Sequence, residues 1–236
     1  LIQAIKMSAL GTMASGIAHE LNQPLNVIRI GTDFFIKMID RNEDIKKETF
    51  RTMAEEMSKY VDRASAIINH MRDFARVSDA TCAEVNINKP IEDVFQVLNH
   101  QLILHQIHIE LDFAENLPPI LADHNRLEQV FINLITNARD ALDARGKTWK
   151  KILKVRTFAE NKHVVAIVSD NGKGIPADVI DNIFEPFLTT KEIGAGTGLG
   201  LSISYEIVKD YDGEIFVESK EDVGTSFKVS FPAISE

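Results

Sequence analysis

From Ala4 to Ile39 small and apolar residues recur at alternating steps of three and four: Ala4, Met7, Gly11, Ala14, Ala18, Leu21, Leu25, Ile28, Thr32, Phe35 and Ile39. This is a heptad seam, and it predicts one long amphipathic helix. The polar run Asp40-Arg41-Asn42-Glu43-Asp44 interrupts it, and a second seam follows at Phe50, Met53, Met57, Tyr60, Ala64, Ile67, Met71 and Phe74. The pair predicts an antiparallel helical hairpin. Two helices bury too little surface to stand alone, and Gly11, Ala14 and Ala18 admit close backbone approach. The expected assembly is a homodimer in which two hairpins form a four-helix bundle. On this register His19 lies one position past the seam and faces outward, with Gln23 four residues on sharing its face.

Around Val77 to Glu84 the seam fails and short β-branched runs between turn residues take over. The pattern predicts strands near 84–87, 107–113, 152–158, 164–169, 214–219 and 226–231, with a short extended piece before Asp123. Helices are expected near 90–104, 125–144 and 201–209. Helices on one face of a mixed sheet make an α/β sandwich. The chain therefore divides into an all-α hairpin domain, 1–79, and an α/β sandwich domain, 80–236, with residues 78–84 as the candidate hinge.

Composition narrows the function. At 236 residues, net charge −9 and pI near 5.3, the chain is unsuited to nonspecific binding of nucleic acid or anionic membranes. The single cysteine, Cys82, excludes an internal disulfide framework and suits a reducing compartment. No apolar run reaches the ~20 residues of a membrane span. The start lacks Met and falls in mid-helical pattern, so the sequence is expected to be a piece of a longer protein.

Candidate chemistry falls in five places. His19-Glu20-Leu21-Asn22-Gln23-Pro24-Leu25 joins an imidazole, a carboxylate and an amide to a proline that costs a helix interior about 3 kcal/mol; Pro24 is expected to bend or loosen the helix beyond His19. Asn133 and Asn137, at i and i+4, project two carboxamides from one helix face, and neutral oxygens suit Mg²⁺ beside an anionic triphosphate. Asp170, at the end of the apolar strand 164–168, can accept the amine of adenine, while Gly172 and Gly174 give the backbone room beside the base. The loop Gly194-Ala195-Gly196-Thr197-Gly198-Leu199-Gly200 precedes a helix and offers backbone amides to phosphates. Phe184 and Phe187 can anchor a lid whose Lys191 reaches a phosphate. Taken singly, each has an ordinary alternative: a polar helix face, a turn, a flexible loop, core packing, a solvated lysine.

In this order and spacing, the asparagine pair, Asp-x-Gly-x-Gly, phenylalanine segment and glycine loop, preceded by a hairpin carrying His-Glu-x-x-x-Pro, closely resemble the core of sensor histidine kinases. The resemblance implies a dimerisation and phosphotransfer domain followed by a Bergerat-type ATP-binding domain. It implies that Asn137 ligates Mg²⁺ with Asn133 beside the phosphates, and that Asp170 holds adenine with Thr225 helping to fix it. Gly196, Thr197, Gly198, Leu199 and Gly200 would close on the phosphates, and Lys191 would offset their charge. His19 would attack the γ-phosphorus of ATP, Glu20 would assist at the ring's other nitrogen, and the phosphoryl group would pass to an aspartate of a response-regulator receiver domain. Gln23 would position water for dephosphorylating that regulator. An upstream sensor domain and a cytoplasmic location, with a membrane anchor elsewhere in the full-length protein, complete the expectation. ATP-hydrolysing relatives of the gyrase and mismatch-repair type carry a glutamate where this chain has Asn133, which favours transfer to a side chain over hydrolysis. Asp140 departs from the family pattern, which has a basic residue there; Arg139 is the neighbouring cation. A hydrolysing conformational ATPase and a nucleotide-binding dimeric scaffold are the alternatives.

Overall fold

The computed structural model describes residues 2–75, 82–146, 149–189 and 198–234, with side chains at 2–20, 63, 66, 67 and 69–75 outside the description. The chain forms two compact units, Leu1–Ser78 and Asp79–Glu236. Most of the expected hinge, residues 78–81, lies outside the described residues.

The first unit is a hairpin of α1 (Ile2–Asp40) and α2 (Lys47–Ala75). Pro24 sits inside α1 without ending it and is buried. Helix α2 keeps the described middle of its expected seam: Met53, Met57 and Tyr60 are half-buried and Ala64 is buried, while Phe50 is 52% exposed and the side chains of Ile67, Met71 and Phe74 lie outside those described. Helix α1 keeps its seam only in part. Its covered stripe runs through Pro24, Val27, Gly31, Phe34 and Met38, one residue earlier than predicted, with Pro24 and Gly31 the buried members. Of the predicted positions Leu21, Ile28 and Phe35 stay half-buried at the edge of that stripe, while Leu25 and Ile39 are 53% and 73% exposed. The two helices approach closely at Gly31, where a Cβ would come within 2.7 Å of Met57 Sδ. The absent side chain lets the thioether of α2 reach the α1 backbone, and Thr32 beside it is turned outward. Phe35 and Phe50 close the loop end with ring centroids 4.9 Å apart. The expected outward placement of His19 lies outside the described residues, whose side chains begin at Leu21 in α1.

In the second unit β1 (Ala83–Val85) pairs antiparallel with β3 (Ile120–Ala122) as a separate two-stranded sheet. The main sheet has the order β2-β4-β5-β7-β6, formed by His108–Phe113, Ile152–Glu160, His163–Asp170, Gly224–Pro232 and Glu214–Lys220. Among these described strands only β2–β4 is parallel, so the sheet is mixed. Leu153, Val155 and Thr157 on β4 are buried, whereas Lys154 and Arg156 between them are exposed and reach Glu110 and Asp112 on β2. That alternation defines one covered face and one polar face. Helices α3 (Asn88–Leu104), α4 (His124–Ala144) and α5 (Gly200–Asp210) supply the cover. Helix α4 is central, with Leu127, Val130, Phe131, Leu134 and Ile135 in the core. Asp123 caps it by accepting from the Arg126 backbone N–H at 3.1 Å, satisfying one of its unpaired amides. The all-α hairpin followed by an α/β sandwich agrees with the sequence pattern. The first strand begins at Ala83 and ends at Val85, leaving Ile87 fully buried outside it.

Candidate functional site

Helix α4 presents Asn133 and Asn137 on one half-buried face. Nδ2 of Asn133 donates to Gly200 O at 2.9 Å and Ser204 Oγ at 3.2 Å. The amide therefore ties the middle of α4 to the first turn of α5 and leaves its oxygen as an acceptor. Two neutral amide oxygens one turn apart are a chemically suitable set for a hard dication beside phosphate. Arg139 donates to Asp140 at 2.7 Å and to Gln101 at 3.1 Å, so its guanidinium is held against its neighbour.

Asp170 ends β5 in register with Thr225 at the start of β7. Burial pushes its carboxyl up to about 6, opposed by hydrogen bonds from the Gly172 and Thr225 backbones. The Gly172 N–H contact is 2.8 Å. A carboxylate offers about four acceptor sites, so capacity remains for a further donor such as an exocyclic amine.

The glycines around Asp170 answer first to neighbouring chain. A Cβ on Gly172 would stand 2.6 Å from the Ala141 carbonyl carbon, and Gly174, at φ +73°, would strike the Lys220 carbonyl. Thr225 is buried, and its hydroxyl lies 2.9 Å from Ser219 Oγ. Ser219 also accepts from Ile175 N–H at 2.8 Å and donates to Gly224 O at 3.0 Å. The sequence reading missed Ser219. The signal was the β6–β7 hairpin register, which pairs Ser219 with Thr225. Arg145 was missed as well. Its Nη1 donates to Asn171 O at 2.6 Å and lies 3.3 Å from Val223 O, while the guanidinium covers Trp149 at 4.0 Å. It joins the end of α4 to both turns that flank Asp170.

Gly198, at φ +65°, packs against the Phe187 backbone, and Phe187 N–H donates to Gly198 O at 2.9 Å. Phe187 is itself at φ +67°, a conformation that costs a bulky residue on the order of 1 kcal/mol or more and marks a constrained segment. Phe184 stacks on Tyr205 of α5 with centroids 5.4 Å apart. Leu199 is buried at the start of α5. Lys191, Gly196 and Thr197 lie outside the described residues. In the second unit Asp170, Gly172 and Thr225 thus meet beside the end of α4, Gly174 packs on the β6 end, and Asn133 of α4 meets Gly200 at the start of α5, which follows Gly198 and Leu199. In the first unit His19 and Glu20 lie on the α1 backbone, without described side chains, and Gln23 is half-buried.

Residues 122–235 match the family model described as Histidine kinase-, DNA gyrase B-, and HSP90-like ATPase. Residues 9–80 match the His Kinase A (phospho-acceptor) domain. The chain is 34% identical over 244 residues to sensor kinase CckA of Brucella abortus, covering 99% of this chain and 25% of that protein. With the C4-dicarboxylate transport sensor protein DctB of Rhizobium meliloti it shares 36% over 230 residues, covering 98% and 36%. The chain thus spans about a quarter to just over a third of these relatives. Among solved structures, the catalytic domain of histidine kinase ThkA is 31% identical with a TM-score of 0.56, covering 64% of this chain and 95% of that one. Histidine kinase ThkA in complex with response regulator protein TrrA is 26% identical with a TM-score of 0.75, covering 98% and 64%.

Proposed function

The chain belongs to the sensor histidine kinases, and on that premise we propose that it is an ATP-dependent protein-histidine kinase that phosphorylates its own His19 and passes the phosphoryl group to an aspartate of a response regulator. Residues 1–79 serve as the dimerisation and phosphotransfer domain, and 80–236 as the ATP-binding domain. The observation that carries this reading is Asp170: a half-buried carboxylate with backbone partners, in register with Thr225, in the unit that also presents Asn133 and Asn137.

On this reading Asp170 accepts the adenine amine, and Thr225 with Ser219 fixes the base edge through hydroxyls. Asn133 and the start of α5 lie at the phosphates, joined by the Asn133–Gly200 hydrogen bond. Gly196, Thr197, Gly198, Leu199 and Gly200 close on them, and Lys191 offsets charge during transfer. Asn137 holds Mg²⁺, which when bound neutralises phosphate charge. Neutral His19 attacks the γ-phosphorus through Nε2 as the β,γ-bridging P–O bond breaks and ADP leaves with that electron pair, while Glu20 takes or hydrogen-bonds the Nδ1 proton. Transfer of this kind depends on positioning and charge stabilisation more than covalent chemistry by the protein. Gln23 orients water on the regulator's phosphoaspartate.

A second copy completes the bundle. Leu25, Ile36 and Ile39 of α1 are each more than half exposed, an apolar stripe beside the face that α2 covers. The signal enters from a sensor domain on the longer protein. We place these domains in the cytoplasm; among the described residues no helix is long and apolar enough to cross a membrane.

Incubation with Mg²⁺ and γ-labelled ATP is expected to give acid-labile, alkali-stable label that His19→Gln abolishes and that chases onto a receiver domain. Sustained phosphate release surviving His19→Gln, with no phosphoenzyme, would replace this reading with a hydrolysing ATPase.

A further inference from the structure

Outside the nucleotide site, the first turns of α4 meet the middle of α3 at three ligand-type atoms. His124 Nε2 lies 3.1 Å from Asp93 Oδ2 and 3.4 Å from Glu128 Oε1. All three ligand atoms fall within 4.8 Å of one another. Around a tetrahedral ion with bonds of about 2.0–2.1 Å, neighbouring ligand atoms stand roughly 3.3 Å apart, so both separations from the imidazole match. His124 and Glu128 share a face of α4 at i and i+4, and Asp93 approaches from α3. Their side chains are 34%, 29% and 26% exposed, sheltered yet open to an entering ion.

The surroundings favour a cation. Asp93 Oδ1 accepts from Lys89 Nζ at 2.6 Å, which orients the carboxylate and leaves Oδ2 toward His124. Lys89 feels Glu92 and Glu128 as well as Asp93. One ammonium among three carboxylates leaves two negative charges in excess, the charge of one divalent ion.

We propose that Asp93, His124 and Glu128 form a site for a divalent transition metal of the Zn²⁺ type, with water in the remaining position. One imidazole and two carboxylates suit Zn²⁺ and its neighbours better than Mg²⁺ or Ca²⁺, which favour all-oxygen sets. The ion would pin α3 to α4, the helix that carries Asn133 and Asn137, and would stabilise the folded unit by mass action. The site is independent of the kinase reading.

The test titrates the whole chain, free of nucleotide, with Co²⁺ and with Zn²⁺ against a competing chelator. One equivalent of Co²⁺ is expected to develop the visible bands of a four-coordinate site, and Zn²⁺ is expected to displace it. His124→Ala and Glu128→Gln should each weaken Zn²⁺ binding about tenfold or more. Circular dichroism and ATP binding without added transition metal should match the parent, showing that the variants fold. No stoichiometric binding at micromolar Zn²⁺, or binding that survives either ligand substitution at parent affinity, overturns the proposal.

Discussion

The Asp170 carboxylate and the Gly172 backbone N–H are bonded at 2.8 Å across a turn so closely packed on α4 that a Cβ at Gly172 would sit 2.6 Å from the Ala141 carbonyl carbon. The acceptor proposed for adenine is therefore oriented by the chain that buries it, and that burial makes the carboxylate costly to ionise.

Asp170 should make nucleotide-free stability fall with rising pH. Burial raises its folded pKa to about 6, against an ordinary value of 3.8. Between roughly pH 4 and 6 the native state retains a proton the unfolded chain has lost, so unfolding free energy drops as pH rises through that window, by up to about 3 kcal/mol from this group, and is flat above it. Asp170→Asn removes that slope, raises stability above pH 6 and weakens ATP binding. Denaturant melts followed by the single tryptophan, Trp149, at pH 4.5 and 7.5 check this; parallel pH dependences in both proteins would refute it.

Gly172→Ala should cost about 1–3 kcal/mol, because the clash is with helix backbone and with the Asp170 carboxylate at 2.7 Å, neither of which can swing aside. ATP affinity should fall at least as steeply as stability. Calorimetric titration with a non-hydrolysable ATP analogue would read the loss, and unaltered affinity would show that the turn tolerates the methyl.

Arg145→Met should raise the dissociation constant for ATP about tenfold with little change in the rate once nucleotide saturates. The side chain joins α4 to the carbonyls of Asn171 and Val223 and touches no proposed reacting atom. Losing two hydrogen bonds of about 1 kcal/mol each loosens the walls around Asp170. A fall in saturated autophosphorylation with unchanged affinity would contradict this division.

In the hairpin, Gly31→Val should destabilise by about 1–3 kcal/mol through overpacking, since Met57 Sδ stands 2.7 Å from where a Cβ would be. Met57→Ala in the same chain should recover much of it, and thermal melts of the single and double variants measure the coupling. Additive effects would mean that Met57 does not press on Gly31.

The sequence by itself determined the order of elements, because helix and strand periodicities differ and each buried face repeats at its own period. It also marked the asparagine pair, Asp170 and the glycine runs as the proposed nucleotide site, since such residues interrupt propensity. What it left open was contact across elements. The stripe of α1 that α2 covers runs through Pro24 and Gly31, one residue earlier than the heptad seam, and leaves Leu25 and Ile39 exposed on the single hairpin. Ser219 and Arg145 appear only once the β6–β7 register and the end of α4 are placed. The cluster of Asp93, His124 and Glu128 joins two helices whose sequences give no sign of meeting. Periodicity reports which face of an element is apolar; which partner covers that face, and which polar atoms then converge, depends on packing between segments distant in the chain, and only the tertiary structure decided it.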